Sequence, residues 1–168
     1  MKIVLVTRNP SKIEQIFGLF QGSTVSLINL TEAGIEGDAV EDGATLKENA
    51  LKKALFAWEH VNPKVWTMAD DTGIFIHALD GEPGVRSARW AGDVSTDEII
   101  QYTLKRLEGV ADRSATFETV VALVSPGGEQ YFFDGKVNGR LLKSPRTKPQ
   151  PKMPYSPLFV PEGTDQVW

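Results

Sequence analysis

The chain has 168 residues, 41% of them hydrophobic and 24% charged, with a formal net charge of −4 and no cysteine. That composition supports an ordinary core in one domain or two small lobes, and it excludes a disulfide framework, a thiolate nucleophile and a cysteine-based zinc site. It lacks both the concentrated basic block that a nucleic-acid polymer requires and any signal-peptide core or apolar run near the ~20 residues of a membrane span, so a cytoplasmic protein with no membrane partner is expected.

Residues 3–7 form a short β-rich apolar run, expected to be a buried strand. Asn9-Pro10 opens a helix, because proline suits the first helical position, and Ile13, Ile16, Phe17 and Phe20 follow at helical spacing. Residues 26–30 read as a second strand, and residues 34–43 as a polar, acidic, mobile loop. Thr45-Leu46-Lys47-Glu48 matches a capping box and predicts a helix to about His60, ended by Asn62-Pro63. Its buried stripe is Ala50, Leu51, Ala54, Leu55 and Trp58. Residues 65–69 and 74–79 read as strands on either side of an acidic turn, Asp70-Asp71-Thr72-Gly73. Ser95-Thr96-Asp97-Glu98 is a second capping box. Residues 116–124 and 130–142 read as a long hairpin joined through Pro126-Gly127-Gly128. Six of the ten prolines fall in 144–161, which excludes helix and central strand there. The order of elements is α/β, with parallel and antiparallel pairing.

Four groups of residues carry chemistry. Thr7-Arg8-Asn9-Pro10-Ser11-Lys12 leads a strand into a helix N-terminus, where free backbone N–H groups and the helix dipole favour an anion. Hydroxyls, an amide and a lysine make it a plausible phosphate cradle; an ordinary turn with an Asn cap is the plain alternative. Asp70 and Asp71 repel each other and raise each other's pKa unless a cation is present, and magnesium favours such carboxylate oxygens. A solvent-exposed acidic turn is the alternative. Glu41, Glu48, Asn49 and Lys53 form a third group, with Glu48 a cap partner and Lys53 otherwise a solvated helix lysine. In Gly84-Val85-Arg86-Ser87-Ala88-Arg89-Trp90 the arginines suit phosphate or base stacking, or equally pairing with Glu82 and Asp93. His60 and His77 are too few and too separated for a metal site or a triad, and His77 reads as a packed or half-exposed histidine.

Taken in order, Thr7 to Lys12, Glu41 to Ala54, Ala69 to Gly73, Gly81 to Gly92 and Ser156 to Gly163 resemble the inosine/xanthosine triphosphate pyrophosphatase family. The resemblance covers roughly residues 1 to 163. It implies an elongated mixed β-sheet flanked by helices, with two lobes around a central cleft, residues 1–168 forming one such two-lobed domain. It implies Mg²⁺-dependent hydrolysis of a nucleoside triphosphate to the monophosphate and pyrophosphate, usually by a homodimer. Carried onto this sequence, Thr7, Asn9, Ser11 and Lys12 hold phosphates and Lys53 adds a second positive contact. Glu41 and Asp71 sit at the metal, Asp71 accepts a proton from the attacking water, and Asp70 supports the turn. Thr72, Arg89, Tyr155 and Ser156 line the phosphate or base pocket.

The family's Phe-Gly-Tyr-Asp base-recognition stretch is here Met153, Pro154, Tyr155 and Ser156, so a stacking ring and a carboxylate are replaced. The segment before it, Thr147 to Lys152, is stiffer and more basic, and the family's Ser-His-Arg group does not follow. Altered base selection is therefore expected. The alternatives are a nucleotide-binding regulatory protein with little turnover, or a phosphohydrolase of other small molecules.

Overall fold

A computed structural model describes residues 1–61 and 65–168 of the chain. The strands are β1 (Lys2–Leu5), β2 (Ser26–Asn29), β3 (Trp66–Ile76), β4 (Pro83–Gly84), β5 (Ser114–Val124), β6 (Gln130–Leu141) and β7 (Phe159–Pro161), and the helices are α1 (Pro10–Leu19), α2 (Leu46–His60) and α3 (Thr96–Arg106). The strand order is β2-β1-β3-β5-β6-β7, with β4 paired to β3. β1 is parallel to β2 and to β3, while β4 on β3 and β7 on β6 are antiparallel. This is the expected mixed α/β arrangement. β7 confirms the proline rule, since it is a three-residue strand at the sheet edge.

Both capping boxes are present. Thr45 and Glu48 close the start of α2, and Ser95 and Glu98 that of α3. Asn62-Pro63, the expected end of α2, lies outside the described residues.

Two compact units divide the chain, with boundaries inside β3, β5 and β6. The first is Met1–Asp71 with Thr119–Asp134, and the second is Thr72–Glu118 with Gly135–Trp168. In the first, Ala50, Ala54 and Ala57 of α2 are fully buried against Val4, Val6, Ala69, Ala122 and Val124. Alanines at these helix positions let α2 pack close to the strands, and Leu51, Leu55 and Trp58 flank that contact half-buried. In the second, Ile74, Ile76, Ile99, Ile100, Leu158 and Phe159 form the core, with Phe117 edge-on to Phe159 at 4.8 Å.

The acidic segment is not a turn. Asp70, Asp71, Thr72 and Gly73 lie within the continuous strand β3, and the expected second strand ends early, at Ile76, with His77–Leu79 forming a 3-10 turn. Polarity alone points to a turn here. The fold overrides it because lysines from two helices neutralise the carboxylates in place.

Candidate functional site

β1 lies between β2 and β3. The crossover through α1 leads one way from β1 and the crossover through α2 leads back past it. Right-handed connections of this kind place the two helices on opposite faces of the sheet. The ion pairs obey that geometry. Successive side chains of a strand point to opposite faces. Lys12 of α1 is paired with Asp70, and Lys53 of α2 with the next residue, Asp71, its Nζ 2.7 Å from Oδ1. Both aspartates are only 8% exposed.

Lys53 is shared. Its Nζ also lies 3.2 Å from Oε2 of Glu41, in the loop before α2, so Glu41 and Asp71 converge on one cationic group. Burial pushes the Asp71 carboxyl above the ordinary carboxylate range, against the pull of Lys53, and the Glu41 charge adds to the rise. Burial alone would lower the Lys53 ammonium, but the charge of Asp71, its hydrogen bond and Glu41 prevail and raise it. A neighbouring negative charge that raises Asp71 is thus Glu41, while Asp70 points to the other face of the strand.

The loop bearing Glu41 is fastened on several sides. The Arg8 guanidinium donates to Asp38 Oδ1 (3.0 Å), Ile35 O (3.0 Å) and Gly37 O (2.7 Å). Lys52 pairs with Asp42. Asn49, fully buried in α2, accepts from Gly43 N–H (2.8 Å) and donates to Asp71 Oδ2 (3.3 Å). Arg8 and Asn49 fall inside the motifs, yet the sequence assigns neither a task. An available signal was the amide of Asn49 on the helix face that otherwise carries Leu46, Ala50 and Ala57.

The turn after β1 uses some of its own donors. Asn9 caps α1, its Oδ1 accepting from Ser11 N–H at 3.0 Å, while Thr7 Oγ1 accepts from Asn9 N–H at 3.2 Å, and Pro10 has no N–H. The backbone donors of Asn9 and Ser11 are therefore engaged within the turn itself.

Arg89, Tyr155 and Ser156 belong to the second unit, as does Thr72, the residue after Asp71 in β3. Tyr155 is 4% exposed, and its hydroxyl donates to Ser87 O at 3.0 Å. Burial pushes that hydroxyl far above its usual value. Ser87 Oγ in turn donates to Gly84 O (2.6 Å) and accepts from Ile74 N–H (2.8 Å). Tyr155 thus anchors the 3-10 turn Ser87–Arg89. Ser156 Oγ donates to Met153 O at 2.9 Å. Glu82 pairs with Arg106, which also lies over Trp90, rather than with Arg86 or Arg89. His77 is hydrogen-bonded to Ser114 and Thr116 through its two ring nitrogens.

Glu41, Asp70 and Asp71 are all oxygen donors, the type a hard divalent cation takes. Among the described residues no three His, Cys, Asp or Glu side chains form a metal-binding group. A pair of carboxylates converging on an ammonium still fits magnesium, which takes one or two carboxylates and completes its shell with water and phosphate oxygens.

The Ham1 family model matches residues 3–167. The chain is 41% identical to a dITP/XTP pyrophosphatase of Thermoanaerobacter pseudethanolicus, over 99% of this chain and 83% of that protein. It also matches the structure of the Staphylococcus aureus Ham1 protein with a TM-score of 0.81 at 30% identity, covering 99% of this chain and 84% of that one. A HAM1 protein structure from Coxiella burnetii matches with a TM-score of 0.80 at 33% identity, covering 95% and 81%.

Proposed function

The chain belongs to the Ham1 family, and from that premise we propose that it hydrolyses a nucleoside triphosphate with a non-standard purine, such as dITP or XTP, to the monophosphate and pyrophosphate. The observation that carries this reading is the Lys53 ammonium shared between Glu41 and Asp71, beside the Lys12–Asp70 pair. A triphosphate brings several negative charges, and two helix lysines that reach β3, together with a divalent cation, offset them where charge develops.

Glu41 and Asp71 hold Mg²⁺ in this reading. When bound, the ion neutralises phosphate charge and makes a nearby water more acidic. Asp71 takes the proton of the attacking water on its carboxylate, a task suited to a carboxyl raised by burial. Lys53, drawn from its two carboxylates, and Lys12, drawn from Asp70, move onto phosphate oxygens. Thr7, Asn9 and Ser11 orient the phosphates from the turn before α1. Thr72 and Arg89 are assigned to the substrate from the second unit. Ser156 is assigned to the base edge, which it meets with a hydroxyl.

The chain acts as a single catalytic domain of the cytoplasm, and among the described residues no helix is long and apolar enough to cross a membrane. A second copy of the chain is its partner. Support for this is the apolar surface that Tyr131 and Phe133, 45% and 58% exposed and two residues apart in β6, leave on the first unit. Sedimentation of a monomer at all concentrations would remove that part of the reading.

The test of the activity is a panel of triphosphates of inosine, xanthosine, deoxyuridine and the four standard bases, with Mg²⁺ and detection of both pyrophosphate and orthophosphate. Pyrophosphate released fastest from inosine or xanthosine nucleotides is expected. Orthophosphate as the product would place the cleavage at a different bond and sink the proposal.

A further inference from the structure

We propose that Asn49 is a positioning residue that fixes Asp71 and the loop bearing Glu41 with respect to each other, so that their carboxylates meet at one cation. The inference rests on the cation pair assigned above and adds to it the device that sets the pair.

Its side-chain amide is fully buried, which carries a cost unless both ends are hydrogen-bonded. Both are. Gly43 N–H can only donate, so the atom facing it at 2.8 Å must be the Asn49 carbonyl oxygen. The amide NH₂ then necessarily faces Asp71 Oδ2, at 3.3 Å. The orientation of Asn49 is thus fixed by chemistry. With Oδ2 held, Asp71 turns Oδ1 to Lys53, whose ammonium meets Glu41. Glu41 is two residues before Gly43, so the circuit Gly43–Asn49–Asp71–Lys53–Glu41 closes on itself.

Gly43 is built for this contact. A Cβ at that position would lie 2.7 Å from Asn49 Oδ1 and 2.8 Å from Glu48 Cβ, too close for any side chain without displacement. The close approach is made to α2, where Asn49 presents its amide oxygen and Glu48 its Cβ. The neighbouring fastening by Arg8 acts on Ile35, Gly37 and Asp38, away from Asp71, and leaves the orientation of that carboxylate untouched. Asn49 touches the loop backbone at Gly43 and the aspartate at Oδ2, whereas Lys53 meets the loop only through the Glu41 side chain.

Two variants approach the contact from opposite sides. Asn49→Leu keeps the volume and removes both hydrogen bonds, while Gly43→Ala, in the loop, displaces the amide and carries the test if the buried substitution prevents folding. Mn²⁺ binding to the full chain without nucleotide is measured by electron paramagnetic resonance, and exchange of the Gly43 amide by NMR. The expected result is Mn²⁺ affinity lower by about 10- to 100-fold in both variants, the range found when groups that orient metal ligands are removed. The Gly43 amide is expected to lose protection in Asn49→Leu. Unchanged Mn²⁺ affinity with lost Gly43 protection would reduce Asn49 to a structural tie and overturn the inference. An equal loss of affinity in Arg8→Gln would also overturn it, because any loosening of the loop would then suffice. Failure of the wild type to bind Mn²⁺ would refute the assigned cation pair itself, an outcome distinct from the other two.

Discussion

Lys53 and Tyr155 are both polar side chains nominated from the sequence to meet substrate, and the two units treat them differently. In the first unit the nominated groups are charged and partly buried, and each is held by an opposite charge from another element: Lys53 by Asp71 and Glu41, Lys12 by Asp70. In the second, Tyr155 is held by neutral contacts: its hydroxyl on Ser87 O, Ser87 on Gly84 and Ile74, and Phe117 against Phe159 in the same core. Charge pairs of the first kind can be exchanged for a charged ligand without leaving a hole, since the ligand replaces the partner. Neutral contacts of the second kind fix a shape. The first unit therefore holds charges that a charged ligand could displace, and the Tyr155 network fixes a shape within the second.

The sharpest way to break this contrast is Asp71→Asn. The variant is expected to fold, with pyrophosphate release slowed by about a hundred- to ten-thousand-fold, the range for loss of a proton acceptor. Normal turnover with near-wild-type kcat would remove Asp71 from the reaction. Phe159→Ala tests the opposite unit. It should cost about 3–5 kcal/mol in urea unfolding, as expected for a fully buried phenylalanine, because the ring packs between Phe117 and Trp168.

Tyr155→Phe sharpens the comparison further. Loss of the hydrogen bond to Ser87 O should cost about 0.5–1.5 kcal/mol of stability, with KM for different bases unchanged relative to one another. A change of base preference without a change of stability would instead assign the Tyr155 hydroxyl to the substrate.

Smallest is an effect of pH through the cap of α3. Hydrogen bonds from Ser95 hold Glu98 below the ordinary glutamate value. Its folded value lies under its unfolded value, so the contribution is present above the unfolded value and is lost as pH falls through the folded one. Glu98→Gln should therefore lower stability at neutral pH and converge with the wild type in acid, as read by urea unfolding at a series of pH values. A constant difference at all pH values would show that the charge has no part in the cap.

Legibility followed the range of the interactions. The capping boxes, Asn9-Pro10 and the helix lengths could be read directly, because each bond joins residues three or four apart. Strand β3 was misread as two strands and a turn, since Asp70 and Asp71 are poor strand formers when judged locally. Pairing of Glu82 with the nearby arginines is one of two readings open in the sequence, whereas its partner, Arg106, is supplied by the far end of α3.

The sequence by itself determined the caps, the family and the set of charged residues, because these depend on residue identity and short spacing. Which lysine answers which aspartate was decided only by the tertiary structure. Asp70 and Asp71 are adjacent in sequence but face opposite sides of β3, and α1 and α2 reach them from separate crossovers, Lys12 lying 58 residues from Asp70 and Lys53 lying 18 from Asp71. Partnership over such separations is set by the sheet order and the alternation of the strand, which no local pattern encodes.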